Sequence, residues 1–180
     1  MFSGPILALD LATSTGWAYG SPGTKHLEFG SLRFGKPGAD RAGKYRTFRT
    51  WLSMHLSTHP AELVVFESAA SATAMSGRTT MDIIKWLVGM CEHLEEFCYE
   101  RVELREGKTS DVRNYFIGNN PKREIAKAKT IEKCRSFGWN VANDDEADAC
   151  ALWCYQVGQL RPDLAASMTP LFYGKRRIVG

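Results

Sequence analysis

The first part of the chain alternates short apolar runs with turn residues, a pattern typical of strands. Residues 4–12 read GPILALDLA, an apolar run with one Asp inside it, and predict a buried strand. Two further runs, at residues 15–21 and 26–34, are separated by the turn sequence PGTK. We therefore expect three consecutive strands, paired as an antiparallel meander.

Helical spacing of apolar residues follows, interrupted by two more strand-like runs. The runs AELVVFES (61–68) and RVELRE (101–106) predict strands. Helices are predicted at residues 41–56, 79–100, 110–118 and 123–138, and from about Asn143 onward. The predicted apolar stripe of the second helix is Ile84, Leu87, Val88, Cys91, Leu94 and Cys98.

The predicted order of elements is βββαβαβ followed by C-terminal helices. Strands that come first as a group and then alternate with helices favour an α/β fold with one mixed five-stranded sheet and helices on both faces. The ribonuclease H-like fold has this order. We expect residues 1–160 to form one nuclease domain of this kind and residues 161–180 to form a tail.

Composition excludes several other classes of protein. The chain has 180 residues, of which 44% are hydrophobic, so it can bury a core. No apolar run approaches the length of a membrane span, and we expect neither a signal peptide nor contact with a membrane. The five cysteines show no C-x-x-C spacing, which favours free thiols in a reducing cytoplasm.

Charge is distributed unevenly, although the net charge is only +3. Basic side chains concentrate in residues 33–49 and 101–135. This distribution favours a positively charged face for an acidic partner, and ordinary solvated helix faces would give the same pattern.

Two acidic residues stand at unusual places in the predicted strands. Asp10 lies inside the first apolar run, where an unpaired carboxylate is costly to bury, and Glu67 ends the run LVVFE. Asp10 suits either a turn hydrogen bond or a metal ligand. Glu67 suits either a solvated strand end or a site at the carboxyl end of a parallel strand.

The stretch ANDDEADAC (142–150) begins the last predicted helix with four acids. Asn143 and Glu146 have the spacing of a capping box, and acids in a first turn suit the helix dipole. Asp145 and Asp148 are three residues apart, so they share a helix face and repel each other unless a cation lies between them. Mg²⁺ prefers such oxygen ligands, and two ions would suit hydrolysis of a phosphodiester.

The chain resembles RuvC-like Holliday junction resolvases of the ribonuclease H-like nuclease superfamily over residues 5–158. The resemblance rests on ILALDLATSTGWAYG, LVVFESA, SDVRNYFIGNN with REIAKAKTIEKC, and DDEADACALW. Asp10, Glu67, Asp145 and Asp148 match the family's catalytic acids position by position. The spacing after Gly118 is longer than in the bacterial enzymes, so the family's phosphate-contacting lysine corresponds to Lys127 or Lys129, of which Lys127 is preferred.

The resemblance implies a crossover junction endodeoxyribonuclease in the cytoplasm. Such an enzyme is a homodimer that binds a four-way DNA junction and makes paired nicks with Mg²⁺ or Mn²⁺, without a nucleotide cofactor. The family's dimer contacts involve the helix that corresponds to residues 79–90. The residues assigned to DNA phosphates are Arg41, Lys44, Arg46, Arg49, Arg113, Lys122, Arg123 and Lys129.

One loop departs from the family pattern. Bacterial resolvases carry an aromatic wedge soon after the catalytic Glu, whereas residues 68–80 read SAASATAMSGRTT, in which Met75 and Arg78 are the plausible DNA probes. We therefore expect activity on other branched DNA as well, and a phage or prophage origin.

Two other functions fit parts of the sequence. Sugar kinases and actin-like ATPases also begin with an Asp in a first strand and a turn like DLATSTGW, but they need two such domains and a second phosphate loop. A catalytically inactive DNA-binding module on the same fold is the other alternative, and the presence of all four acids argues against it.

Overall fold

A computed structural model describes residues 2–24, 26–35, 40–67 and 81–165 of the chain. Five strands form one mixed sheet in the order β3-β2-β1-β4-β5. They are β1 (Ile6–Asp10), β2 (Thr15–Gly20), β3 (Glu28–Leu32), β4 (Leu63–Glu67) and β5 (Glu103–Gly107). The first three strands pair antiparallel, as the turn signals predicted, and β4 and β5 extend the sheet in parallel to β1.

Six helices surround this sheet in the described part of the chain. They are α1 (Arg41–Thr58), α2 (Met81–Cys98), α3 (Thr109–Ile117), α4 (Arg123–Ser136), α5 (Asp144–Leu160) and α6 (Pro162–Ala165). The short α6 lies in the segment that was predicted as a tail. None of the described helices is long and apolar enough to cross a membrane.

The alternation of side chains along the strands divides the apolar core between the two faces of the sheet. Ala8 of β1 and Val65 of β4 face α3, α4 and α5, and together they form one buried cluster. Leu9 and Phe66, the next residues along, face α1 and α2 in a second cluster. The mixed α/β architecture with helices on both faces is therefore confirmed.

The helix α5 is the central element of the first face. Its apolar residues are almost all buried, including Ala147, Cys150 and Trp153. The indole Nε1 of Trp153 donates a hydrogen bond of 3.1 Å to the carbonyl oxygen of Gly20 in β2. This bond and the small alanine side chains hold α5 close against β1 and β2.

The predicted apolar stripe of α2 was only partly right. The helix buries Trp86, Met90, Leu94 and Cys98, which are spaced four residues apart, while Val88 is 43% exposed. Apolar residues occupy more than one side of this helix, so the sequence offered two neighbouring stripes and the packing selected one of them. The predicted division into a domain of residues 1–160 and a tail of residues 161–180 stays a prediction.

Candidate active site

Asp10 and Glu67 lie side by side at the carboxyl end of two parallel strands. Leu9 of β1 is opposite Phe66 of β4, and Asp10 and Glu67 are the residues that follow this pair. Because side chains alternate along a strand, both carboxylates point to the face that carries α5. The fold therefore brings together two acids that are 57 positions apart in the sequence.

The start of α5 brings further acids to the same edge. Asn143 is the N-cap, and its Oδ1 accepts a hydrogen bond of 3.0 Å from the backbone N–H of Glu146. The carboxylate of Glu146 accepts in turn from the backbone N–H of Ala142, at 2.8 Å. The Asn143 half of the predicted capping box is thus present, whereas Glu146 accepts from Ala142, one residue before the N-cap, instead of from Asn143. Neither bond involves Asp145 or Asp148, which leaves both for another role.

The acids perturb one another strongly. Burial raises the pKa of Asp10 well above its usual value, and the negative charges of Glu67, Asp148 and Asp145 raise it further. Burial and the charge of Glu67 raise the pKa of Asp148 to about 7. The charges of Glu67, Asp145 and Asp148 all act on Asp10, so the four carboxylates lie in one region, as is common at functional sites.

Glu67 also has partners that favour its ionised form. Burial raises its pKa, but a hydrogen bond from the hydroxyl of Thr109 and the nearby guanidinium of Arg113 act in the opposite direction. Both residues belong to α3, which starts two residues after β5 ends. We call the region that holds Asp10, Glu67 and the acids of the first turns of α5 (Asp144, Asp145 and Asp148) the acidic edge. The start of α3 therefore supplies one hydrogen-bond donor and one positive charge to the acidic edge.

A lysine faces the acids from α4. The ammonium of Lys127 forms a partly buried ion pair with Asp144, the first residue of α5. This hydrogen bond is the main reason why the pKa of Asp144 lies below its usual value, and the charge of Arg123 adds to the effect. Lys127 thus lies beside the acidic edge, and its partner Asp144 directly precedes Asp145 in the chain.

Carboxylate oxygens are the ligands that Mg²⁺ or Mn²⁺ prefers. Burial and neighbouring carboxylates raise the pKa values of Asp10 and Asp148, so a positive charge beside these two acids would relieve a repulsion present in the fold. Among the described residues, no three His, Cys, Asp or Glu side chains are grouped so that they could hold a metal ion. Glu67 instead bonds to Thr109, and Asp144 bonds to Lys127. The donor chemistry fits a divalent cation.

Solved structures with the same architecture are known. A RuvC from T. thermophilus in complex with a Holliday junction substrate aligns with a TM-score of 0.68 and 12% identity, over 89% of this chain and 96% of that one. The Thermus thermophilus RuvC structure aligns at 0.60 and 13%, over 89% and 96%. The yeast mitochondrial Holliday junction resolvase aligns at 0.61 and 11%, over 91% and 84%.

The chain has a RuvC-like fold. No protein-family model and no curated protein matches the sequence. Sequence identities near 12% make the three-dimensional arrangement, rather than overall sequence, the basis of this likeness.

The basic residues predicted on α1 lie on the opposite face of the RuvC-like sheet from α5. Arg41 and Arg49 form ion pairs with Asp82 and Glu96 of α2, at 3.9 and 2.8 Å. The ammonium of Lys44 lies 5.6 Å from the ring centre of Trp86, and Arg46 lines an open groove of about 690 Å³ between α1 and α2.

The remaining predicted basic residues divide into two groups. Arg113 and Arg123 affect the pKa values of the acids, so they lie near the acidic edge, and Lys122 is the exposed N-cap of α4. Lys129 is exposed and lines a separate depression with Ile117 and Lys133. Met75 and Arg78 lie outside the described residues.

Four residues near the acids were missed from the sequence. Thr109 had no motif to mark it, although a Thr that follows a strand and starts a helix is well placed to bond to a neighbouring acid. Asp144 was assigned to helix capping alone, and Gly16 and Ser31 were passed over as ordinary strand residues. All four depend on contacts between distant parts of the chain, which local spacing does not reveal.

Proposed function

We propose that this protein is a metal-dependent, structure-selective endodeoxyribonuclease that resolves Holliday junctions by paired nicks. The observation that carries the proposal is the convergence of Asp10, Glu67, Asp145 and Asp148 at one edge of a RuvC-like fold. These acids come from two strands and one helix. Burial raises the pKa values of Asp10, Glu67 and Asp148, and neighbouring carboxylates raise those of Asp10 and Asp148 further.

The four acids would hold one or two Mg²⁺ or Mn²⁺ ions. When bound, such ions activate a water molecule and stabilise the leaving oxygen of a phosphodiester. The strand acid Glu67 and the helix acids Asp148 and Asp145 all act on the pKa of Asp10, so Asp10 is close to both parts of the site and would contact a cation held there. Thr109 holds Glu67 through its hydroxyl and limits the orientations of that carboxylate.

The positive side chains beside the acids would bind the phosphate that is cut. Lys127, which is 26% exposed, is held against Asp144, and Arg113 lies near Glu67 and Asp148. A phosphate that enters this edge meets both cations, which offset its charge and that of the pentacoordinate transition state. The position of Lys127 supports it over Lys129 as the phosphate-contacting lysine, because Lys129 lines a different depression.

A four-way junction has two strands to cut, so paired nicks require two active sites. The exposed apolar residues Met81 and Val88 on α2 are 64% and 43% exposed, and they suit the contact of a homodimer through this helix. Flaps and Y-shaped DNA are further substrates in this proposal. The enzyme would act in the cytoplasm, where its free cysteines stay reduced.

A cleavage assay with four substrates tests the proposal. Labelled four-way junction, flap, Y-shaped and linear duplex DNA are incubated with the protein in Mg²⁺, in Mn²⁺ and in chelator. We expect paired nicks near the crossover of the junction, slower cutting of flap and Y-shaped DNA, and no cutting in chelator. Tight binding to the junction without any nicking would contradict the proposal and favour an inactive DNA-binding module.

A further inference from the structure

Three residues on adjacent strands form a row that crosses the sheet at the acidic edge. Asp10 of β1 is opposite Gly16 of β2, and Gly16 is opposite Ser31 of β3. Neighbouring strands lie about 4.8 Å apart, so Ser31 is roughly 10 Å from Asp10 along this row. We call Asp10, Gly16 and Ser31 the cross-strand row.

The start of α5 is fastened to the far end of this row by side-chain hydrogen bonds. The amide Nδ2 of Asn143 donates to the hydroxyl oxygen of Ser31 at 2.8 Å. The same hydroxyl donates to Oε1 of Glu146 at 3.2 Å. One serine hydroxyl is therefore both acceptor and donor for the two capping residues of the helix, which are more than 110 positions away in the sequence.

These bonds exceed what helix capping requires. The Oδ1 of Asn143 and the Oε2 of Glu146 already satisfy the backbone N–H groups of Glu146 and Ala142. The second polar atom of each side chain is left over, and both contact Ser31. The capping pair therefore has two functions, one within the helix and one that connects the helix to the sheet.

The middle of the row contacts α5 through its backbone. A Cβ atom at Gly16 would overlap the carbonyl oxygen of Asp145, so a residue without a side chain is required where the strand and the helix meet. Because Gly16 and Ser31 fix the first turn of α5 at two points, they fix where Asp145 and Asp148 stand relative to Asp10, the third member of the row.

We propose that Ser31, together with Asn143 and Glu146, positions the carboxylates of Asp145 and Asp148 for divalent-cation binding, and that Gly16 permits the close approach this needs. The inference rests on the proposed metal-dependent function. Ser31 is a positioning residue, since it acts through Asn143 and Glu146 and does not itself bind the metal.

The dependence of the melting temperature on Mn²⁺ tests the positioning role, because a Ser31 that only supported the fold would change the melting temperature and leave the Mn²⁺ affinity as it is. The melting temperature of the protein is measured as a function of Mn²⁺ concentration, without DNA, for wild type, Ser31→Ala, Ser31→Thr and Ser57→Ala. Loss of a group that orients metal ligands typically weakens metal affinity about 10-fold or more. Stabilisation rises as RT ln(1 + c/Kd), where c is the Mn²⁺ concentration, so fitting this rise gives the half-saturation, which is the Mn²⁺ concentration at which half of the folded protein is bound. We expect the half-saturation of Ser31→Ala at about 10-fold higher Mn²⁺, and recovery in Ser31→Thr, which keeps the hydroxyl.

Ser57→Ala is the matched control. The hydroxyl of Ser57 also makes a hydrogen bond, at 2.7 Å to the backbone of Ser53, but on an exposed side of α1. Its Mn²⁺ half-saturation should equal that of wild type. If Ser31→Ala melts cooperatively and its half-saturation stays within about twofold of wild type, the positioning role is overturned, even though the variant has lost a hydrogen bond.

Two more variants separate this inference from the proposed function. Gly16→Ala should weaken Mn²⁺ binding more than Ser31→Ala, because the added Cβ must displace Asp145. Asp148→Asn should lose Mn²⁺ stabilisation altogether. A wild-type response that Asp148→Asn abolishes and Ser31→Ala leaves unchanged overturns only the positioning role. No Mn²⁺ response in the wild type would contradict both the metal assignment and the inference.

Discussion

The two faces of the sheet carry similar apolar cores and very different charged groups. On the face with α5, Lys127 pairs with Asp144 and Arg113 lies near Glu67, so positive charge is set against crowded acids. On the face with α1 and α2, the arginines pair with exposed acids of the neighbouring helix, such as Glu96. Both faces are basic in sequence, but only the first combines cations with perturbed carboxylates.

The contribution of a basic residue to function therefore depends on whether its neighbours are crowded carboxylates or single exposed acids. A partly exposed pair such as Arg49 with Glu96 contributes little to stability and stays free to exchange partners. A cation beside several partly buried carboxylates interacts with them, and with an incoming phosphate, more strongly, because water screens charge poorly there. We therefore expect α1 to affect DNA binding and the α3 and α4 cations to affect cleavage.

Among the basic residues, the largest effect should come from removing the cations beside the acids. The double variant Arg113→Ala/Lys127→Ala should lower the single-turnover rate of junction cleavage by about 10³-fold, because two groups that offset phosphate charge are lost. The matched double variant Arg46→Ala/Arg49→Ala should weaken junction binding about 10-fold with a smaller salt dependence, and at saturating protein it should cleave within about threefold of wild type. Equal losses of cleavage rate in both variants would break the comparison.

The second effect concerns stability on the acidic face. The folded state raises the pKa of Asp148 to about 7 from an ordinary value of 3.8, so it binds a proton that the unfolded chain releases. Stability without metal should therefore fall as pH rises from about 4 to about 7. Asp148→Asn should remove this loss and stabilise the metal-free protein at pH 8 by about 1–2 kcal/mol, after allowance for solvent screening.

Thermal melting at several pH values measures this effect. A gain of about 1–2 kcal/mol corresponds to roughly 2–8 °C in melting temperature for a chain of this size. Asp163→Asn in the exposed start of α6 is the control and should show no such gain. A lower melting temperature of Asp148→Asn at pH 8 would contradict the crowding of charge that we describe.

On the face with α1 and α2, a buried histidine should make stability depend on pH with the opposite sign. His55 is buried among Trp51, His59 and other rings, and burial lowers its pKa to about 4 from 6.5. The unfolded chain binds the proton first, so stability should fall as pH decreases from about 6.5 towards 4. His55→Phe should reduce the loss between pH 7 and 5.5 by about 1 kcal/mol, as measured by denaturant unfolding.

The exposed His26 supplies the control for this measurement. His26→Phe should leave the acid dependence of unfolding as it is in wild type. Comparing each variant only with itself at two pH values removes any change in packing from the result. An unchanged acid dependence in His55→Phe would show that this histidine is not held in its neutral form.

The smallest effect should come from the partner of Lys127. Asp144→Asn keeps the shape of the side chain and removes the charge that holds the ammonium, so cleavage should slow by about threefold. Glu124→Gln, an exposed acid in the first turn of α4, is the control for loss of one negative charge. In a protein that already carries Lys127→Ala, Asp144→Asn should have no further effect on the cleavage rate. An equal effect of Asp144→Asn with and without Lys127 would contradict an action of Asp144 through Lys127.

Much of the fold and the four acids could be predicted from the sequence because their signals are local. The meander follows from turn residues, and the start of α5 follows from the capping spacing of Asn143 and Glu146. Asp145 and Asp148 stood out because two acids on one helix face had no local explanation. Asp10 and Glu67 each had a local alternative, a turn hydrogen bond and a solvated strand end, and the resemblance to the resolvases singled them out.

The remaining features depend on long-range geometry. Nothing local distinguishes Ser31 from other strand serines, and its role appears only when β3 and α5 come together. Asp144 had a sufficient explanation at the helix start, which concealed its contact with Lys127. The stripe of α2 was misassigned because Val88 and Trp86 are both apolar, and packing against the sheet decides which of them is buried.

The central claim is that the acidic edge of this fold cuts junction DNA, and Asp10→Asn tests it most directly. Binding and cleavage of one labelled four-way junction are measured for wild type and variant in Mg²⁺. We predict loss of cleavage by more than about 10³-fold with junction binding retained, because the site loses a cation ligand and keeps its basic surface. Cleavage by Asp10→Asn at the wild-type rate would contradict the assignment of the active site.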